Sequence, residues 1–304
     1  MLTWHAHAGA VTSLAFVPGG GLLSTGVDGV LKHWDATSGE SHNSWKLAEL
    51  APSADQSNLL RALSDATGRY AAVGLRTEGV HFFDLVDRSE VELVRYHQLD
   101  FLTPAPDASS VFALTTNPQV RAGSAYGWRD PSLSVNQLRF PDGRRIAYSQ
   151  SDVSSYNLGG LAVRPDGGEV VTGTHRFAWP AGTLTGSQLA RRPQGPLAVS
   201  SDGDKLFSAA GSRLVVWGLQ VGVIRRKIKG HVAPITGLTS TPDGRKLWSA
   251  SLDATVRQWD VDTYRCETCY GLKIGPLGCV AVSPDGLTAA AGSRHTGNIA
   301  VWDL

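Results

Sequence analysis

The sequence predicts an all-β protein built from seven repeated units, each made of four short strands. One turn pattern, Pro-Asp-Gly or Ser-Asp-Gly between two apolar runs, recurs along the chain and is typical of β-hairpins. Glycine is abundant, with 34 residues in 304, and apolar residues are spread along the whole chain. These features indicate a folded, turn-rich chain of short strands.

The spacing of the turns gives the architecture. Clear copies are LAVRPDGGEVVTG, LTSTPDGRKLWSA and VAVSPDGLTAAAG, and successive turns are 36 to 58 residues apart. A period of about 40–45 residues with four strand-sized segments is typical of a β-propeller blade. The seven turns lie near Pro18, Asp65, Asp107, Pro165, Ser201, Pro242 and Pro284.

An eighth turn candidate lies in RFPDGRR, residues 139–145. Its Pro141 precedes Pro165 by 24 residues, which is too short for a blade of four strands. We therefore interpret LSVNQLRFPDGRRIAY as the third and fourth strands of blade three, with Leu138 at the position that Trp occupies in other blades. A propeller of eight blades is the alternative.

The two ends of the chain complement each other. The C-terminal NIAVWDL is a third strand with no fourth strand after it, and the N-terminal LTWHAH is a strand with no unit before it. Pairing them would close the ring and remove an open sheet edge. We expect one propeller domain over residues 1–304.

Two segments of the same form stand near opposite ends of the chain, STGVDGVLKHWD at 24–35 and SASLDATVRQWD at 249–260. With these motifs the chain resembles the WD-repeat family of β-propellers. The resemblance implies a hydrogen-bonded network of His, Ser, Asp and Trp in each of these two blades. The implied sets are His7, Ser24, Asp28 and Trp34 in blade one, and His231, Ser249, Asp253 and Trp259 in blade six.

We interpret this network as scaffold. An indole N–H donates a hydrogen bond, a hydroxyl and a neutral imidazole each donate and accept one, and a carboxylate accepts. Every member of the network can therefore form its hydrogen bonds. Ser24, His7 and Asp28 could be mistaken for a nucleophilic triad, but the second copy in blade six argues against catalysis. The other blades depart from the pattern, and we expect them to depend mainly on apolar packing. At the position of the Trp-Asp pair, blades two, four, five and seven have Phe83-Asp84, Trp179, Trp217 and Trp302-Asp303.

No catalytic or phosphate-binding motif is present: the sequence has no Walker loop, HExxH or GxSxG. The pair Cys266 and Cys269 has CxxC spacing, but on a strand residues three apart point to opposite faces, and no second pair exists to complete a metal site. Three cysteines and a net charge of +1 fit a reducing compartment and no general affinity for nucleic acid. We expect a soluble cytoplasmic protein that is not an enzyme and holds no metal or cofactor.

Candidate partner-binding residues lie on the turns between second and third strands, which share one face of a propeller. Five of seven blades place Arg there, and Arg recognises carboxylate and phosphate in bidentate fashion. The alternative is that Arg is only a soluble turn residue. The residues are Arg76, Arg121, Arg129, His175, Arg176, Arg213, Arg294 and His295.

Blade three has the longest of these connections, residues 117–132. Its Tyr126, Trp128 and Arg129 are residue types that dominate binding hot spots. The alternative is that Trp128 packs over the neighbouring blade. Basic residues on the predicted fourth strands are expected instead to protect exposed sheet edges. They are Arg144, Arg145, Arg191, Arg192 and the segment RRKIKG at 225–230.

The sequence therefore predicts a non-enzymatic scaffold, a monomeric propeller that binds protein partners through its turn-bearing face within a larger complex. Membrane binding is not expected. The alternatives are an enzyme with a catalytic site at the channel mouth, and a reader of acidic, phosphorylated or nucleic-acid ligands. A steep salt dependence would distinguish nucleic-acid binding.

Overall fold

The computed structural model describes most of the 304-residue chain. The described residues are 1–47, 59–96, 98–117, 132–152, 160–173, 175–181, 183–184, 193, 195–241 and 243–304. In this part of the chain the strands form seven antiparallel sheets of four. The expected seven-bladed, all-β propeller is confirmed, and the eight-bladed alternative is wrong.

The strands follow one another in the order that the turn pattern predicts. In chain order they are β1 (Leu2–His5), β2 (Val11–Val17), β3 (Gly21–Gly26), β4 (Val30–Asp35), β5 (Ser41–Lys46), β6 (Leu59–Ser64), β7 (Tyr70–Leu75), β8 (Gly79–Asp84), β9 (Ser89–Arg95), β10 (Leu99–Pro104), β11 (Ser110–Asn117), β12 (Ser132–Arg139), β13 (Arg145–Asp152), β14 (Leu161–Val163), β15 (Glu169–Thr172), β16 (Arg176–Ala178), β17 (Thr183–Leu184), β18 (Leu197–Val199), β19 (Lys205–Ala210), β20 (Arg213–Gly218), β21 (Val223–Lys229), β22 (Ile235–Ser240), β23 (Lys246–Ser251), β24 (Thr255–Asp260), β25 (Cys266–Gly271), β26 (Leu277–Val282), β27 (Thr288–Ser293) and β28 (Asn298–Asp303).

Within each blade the strands run outward from the channel. The first strand of every blade contacts the first strands of the two neighbouring blades, from β2 and β6 round to β26 and back to β2. Second strands such as β3 are buried along their whole length, because the sheets on both sides cover them. Fourth strands such as β5 and β25 are mostly exposed and form the perimeter.

The core consists of separate apolar clusters between neighbouring blades. Between blades one and two, for example, Leu23 and Leu31 of one sheet meet Ala71 and Phe83 of the next. Each of the seven interfaces has such a cluster. Burying both faces of a sheet in this way explains why inner strands read as nearly continuous apolar runs.

The ring closes where the two ends of the chain meet. β1 pairs with β28 in antiparallel register, with Thr3 opposite Ala300, and supplies the fourth strand of the last blade. The expected closure by the N-terminal strand is confirmed. Blade three also has its expected form, because β12 and β13 belong to its sheet. Leu138 is paired with Val111 of the second strand, as Trp34 is paired with Leu22 in blade one.

One face of the ring bears the turns between second and third strands together with the loops that link blades. Backbone hydrogen bonds join the two sets: the Val27 amide donates to the Ala10 carbonyl, and the Arg294 amide donates to the Pro276 carbonyl. We call this side the upper face. The described candidates Arg76, His175, Arg176, Arg213, Arg294 and His295 follow second strands and therefore lie on it.

Candidate functional site

The structure joins the four residues of blade one in a single hydrogen-bonded chain. Trp34 Nε1 donates to Ser24 Oγ over 2.8 Å, and Ser24 Oγ lies 2.7 Å from His7 Nε2. His7 Nδ1 lies 2.9 Å from a carboxylate oxygen of Asp28, and the same carboxylate accepts the Ala8 amide. The chain ties the inter-blade loop to the turn after β3.

Blade six repeats this arrangement with nearly the same geometry. Trp259 Nε1 lies 2.8 Å and His231 Nε2 lies 2.7 Å from Ser249 Oγ, and His231 Nδ1 lies 2.9 Å from Asp253. Thr255 adds a hydroxyl that donates to the same carboxylate. Ser24 and Ser249 are fully buried, so neither hydroxyl is presented to a substrate.

The electrostatics of the network favour a neutral histidine and an ionised aspartate. Burial lowers the pKa of His7 and of His231 below 6.5, and the neighbouring aspartates oppose this only in part. Burial alone would raise the pKa of Asp253. Hydrogen bonds from Thr255, His231 and a backbone amide outweigh it and hold that pKa at about 2.

A third blade retains part of the network, which the sequence interpretation missed. Trp217 Nε1 in blade five donates to Ser208 Oγ over 2.9 Å. The sequence signal was present: Ser208 stands two residues after the partner of Trp217, as Ser24 stands two residues after the partner of Trp34. It was overlooked because the turn in blade five is shorter and has no Asp.

Blades four and seven lack the hydrogen bond from Trp to a serine of the same blade. Trp179 of blade four donates across the blade interface to Gln137 of blade three, over 2.6 Å. In blade seven, Ala291 stands where Ser24 stands in blade one. The buried Nε1 of Trp302 consequently has no hydrogen-bond partner among the described residues.

Three arginine-bearing turns present exposed cations on the upper face. Arg76 is 44% exposed and lies 3.8 Å from Asp100. Arg213 and Arg294 are exposed, as is His295, and neither arginine is in an ion pair with any residue of the described ranges. The structure therefore brings Arg76, Arg213 and Arg294 to the same face.

Arg176 is used within the protein rather than at the surface. Its guanidinium forms a bidentate pair with Glu169, at 2.8 and 3.0 Å, and donates to the carbonyl of Leu219 in the next blade. Its side chain is only 17% exposed. The adjacent His175 is half-buried and lies 6.2 Å from the ring of Phe177.

The remaining candidates lie outside the described residues. These are Arg121, Tyr126, Trp128 and Arg129 of the long connection in blade three, and Arg191 and Arg192 of the basic perimeter set. Their proposed roles stay predictions.

The perimeter residues that are described make local contacts. Arg225 forms an ion pair with Asp204, and the Arg145 guanidinium lies 4.7 Å from the centre of the Tyr148 ring. Cys266 and Cys269 lie exposed on the outer strand β25 as free thiols. In the described ranges, no group of three or more His, Cys, Asp or Glu side chains is placed to hold a metal ion. The same residues include no helix with the length and apolar character needed to cross a membrane.

Comparison with known proteins gives a match in two of the blades. Residues 1–35 and 222–260 match the family model described as WD domain, G-beta repeat. These ranges contain the two complete networks of His, Ser, Asp and Trp.

The chain is also similar to segments of several larger proteins. It is 34% identical over 110 residues to the Periodic tryptophan protein 2 homolog of Mus musculus, a match that covers 35% of this chain and 12% of that protein. It is 36% identical over 66 residues to Protein groucho of Drosophila melanogaster, covering 21% and 9%. It is 29% identical over 110 residues to Autophagy-related protein 16 of Arabidopsis thaliana, covering 36% and 21%. The chain thus matches only a small part of each relative's length.

Proposed function

Because the chain is a WD-repeat β-propeller, we propose that it serves as a non-enzymatic platform that binds a protein partner on its upper face. Arg76, Arg213 and Arg294 contact an acidic segment of that partner. The exposure of these three arginines on one face is the observation on which the proposal depends.

The charge balance of the upper face supports an acidic partner. Asp28 and Asp253 belong to the same face but are engaged by His7 and His231 and by backbone amides. Glu78 is buried. These three carboxylates are therefore poorly placed to neutralise the arginines. Asp100 lies 3.8 Å from Arg76 and offsets part of its charge, whereas Arg213 and Arg294 form no ion pair with any described residue. Positive rim charges of this kind steer an acidic partner and fix its orientation.

The network supports the same function by holding the turns in place. Contacts presented by rigid turns cost less entropy on binding than contacts presented by mobile ones. The network ties the turn of blade one to the loop through Asp28 and does the same in blade six through Asp253. Duplication in two blades fits a scaffold role and does not fit a single catalytic centre.

The test is affinity capture from host extract with three matched proteins. One is the wild type, one carries Arg76→Ala, Arg213→Ala and Arg294→Ala, and one carries Arg144→Ala, Lys227→Ala and Lys229→Ala on the perimeter. Both variants lose three positive charges. We expect a partner that the wild type and the perimeter variant capture and that the upper-face variant loses at least tenfold.

Equal capture by the wild type and the upper-face variant would contradict the proposal. Capture should weaken only a few-fold between 50 and 200 mM salt, because few charge pairs are involved. A loss of about a thousandfold or more would point to nucleic acid instead. A further variant, Tyr126→Ala, Trp128→Ala and Arg129→Ala, tests the long connection of blade three separately.

A further inference from the structure

The axial channel contains a cavity that the docking proposal does not use. It has a volume of about 390 Å³, and residues of all seven blades line it. Its lining comes from the inner strands, from the loops that enter them and from Arg76 of the turn between β7 and β8, so it opens at the upper face. A cavity of this size lies within the range of small-molecule sites, about 300–1,000 Å³.

One wall of the cavity bears an arginine whose charge nothing in the described structure balances. Arg61 lies on the inner strand β6, is half-buried and lines the cavity. Among the described residues it forms no ion pair and no hydrogen bond through its side chain. Burial lowers the pKa of its guanidinium. A half-buried cation that lacks a partner among the described residues leaves a place for an anionic ligand.

The titratable neighbours of Arg61 do not supply the missing charge. Cys279 lines the same cavity, but burial raises the pKa of its thiol to about 12, so it is neutral. Asp100 accepts hydrogen bonds from Gln98 and Thr116 and lies 3.8 Å from Arg76. Asp100 therefore balances Arg76, and the cavity retains one uncompensated positive charge.

The rest of the lining leaves room for an apolar body beside this charge. Phe101 and Leu197 are half-buried and line the cavity, as do glycines of four blades. At Gly237 an added Cβ would lie 3.2 Å from the backbone of the neighbouring strand. Gly237 therefore allows the inner strands of blades six and seven to approach each other closely.

We propose that the channel binds a small organic carboxylate, with its carboxylate paired to Arg61 and its apolar part against Phe101 and Leu197. A single negative charge matches the single uncompensated guanidinium, and arginine pairs with a carboxylate through two parallel hydrogen bonds. This site lies inside the channel and its occupant is a small molecule, so it does not depend on the partner-docking proposal.

The test compares carboxylates with their uncharged amides. Acetate, benzoate and 3-phenylpropionate, each beside the corresponding amide, are titrated at constant ionic strength and binding is followed by ligand-observed NMR. The proteins are the wild type, Arg61→Met, and Arg144→Met as a control that removes an exposed arginine on the perimeter, outside the cavity. We expect benzoate or 3-phenylpropionate to bind the wild type and Arg144→Met, and Arg61→Met to bind it at least about tenfold more weakly.

The uncharged amides distinguish this proposal from simpler explanations. Equal binding of benzoate and benzamide would show an apolar pocket with no role for Arg61 and would overturn the proposal. Equal binding of benzoate by wild type and Arg61→Met, or no binding of any carboxylate by the wild type, would also overturn it.

A second measurement keeps the test valid if Arg61 also affects folding. Without ligand, Arg61→Met should unfold at the same temperature as the wild type or higher, since it removes an uncompensated charge. Benzoate should raise the unfolding temperature of the wild type and leave that of Arg61→Met unchanged. A large loss of stability in ligand-free Arg61→Met would assign the residue a structural role and contradict the proposal.

Discussion

At the scale of single residues, proton positions in the network follow from donor chemistry. Trp34 can only donate, so Ser24 Oγ accepts from it and directs its own proton to His7 Nε2. His7 therefore carries its proton on Nδ1 and donates it to Asp28. Every polar group of the blade-one network has a partner only while His7 is neutral, which agrees with the lowered pKa of His7.

Removing the central hydroxyl of the complete network should be costly. Ser249→Ala leaves both the Trp259 N–H and His231 Nε2 without their partner, so we expect a loss of about 2–3 kcal/mol in the free energy of unfolding. Ser208→Ala in blade five breaks one described bond, from Trp217, and should cost about 1 kcal/mol. Urea unfolding measures both. Equal losses would show that the histidine link adds no stability.

The buried histidines also predict how stability depends on pH. Their pKa values lie below 6.5 in the folded protein, so the unfolded chain binds more protons as the pH falls below 6.5. The free energy of unfolding should therefore be constant above pH 7 and decrease below 6.5, by at most about 1.4 kcal/mol per pH unit for each histidine. The lowered pKa of Asp253, about 2 against 3.8, removes stability mainly below about pH 5, as the unfolded chain's carboxyl becomes protonated.

The measurement is urea unfolding at pH 5, 6, 7 and 8. Burial lowers the pKa of His33 as well, so His33→Gln serves as the control and should keep most of the pH dependence. A free energy of unfolding that stays constant from pH 7 to pH 5 would contradict neutral, buried network histidines.

At the scale of single strands, ring closure depends on one short element. β1 supplies the outer strand of the last blade and places Leu2 and Trp4 half-buried against the sheet. Without it, β28 would present an unpaired edge of exposed backbone groups. The last blade is thus completed by residues nearly 300 positions away in the chain.

A variant lacking residues 1–5 should be less stable and should self-associate. We expect a loss of about 2 kcal/mol or more, because two half-buried apolar side chains and the pairing of β28 are removed. Thermal unfolding and light scattering after size-exclusion chromatography measure the two effects, with Thr3→Ala, which keeps the backbone pairing, as the control. A monomeric truncated protein of unchanged stability would show that closure does not require β1.

At the scale of the whole molecule, the seven blades together enclose the channel. Each inner strand contacts the inner strands of the two neighbouring blades, and residues from every blade line the space that these strands enclose. The upper face and the channel mouth therefore belong to one continuous surface. Arg76 belongs to both, since it is exposed on the face and lines the cavity.

The sequence by itself determined the blade count, the closure by the N-terminal strand, the place of Leu138 and the composition of the two networks. These depend on spacing along the chain, because six blades fold from contiguous residues with local turns and the seventh lacks only an outer strand, which the N-terminal segment supplies. It did not reveal that Arg176 pairs with Glu169, that Trp179 reaches Gln137, or that Arg61 faces the channel. Such contacts join strands or blades whose relative register and radial position are fixed only when all seven blades pack into a ring. The tertiary structure alone thus decided which arginines form ion pairs inside the protein and which remain available to a ligand.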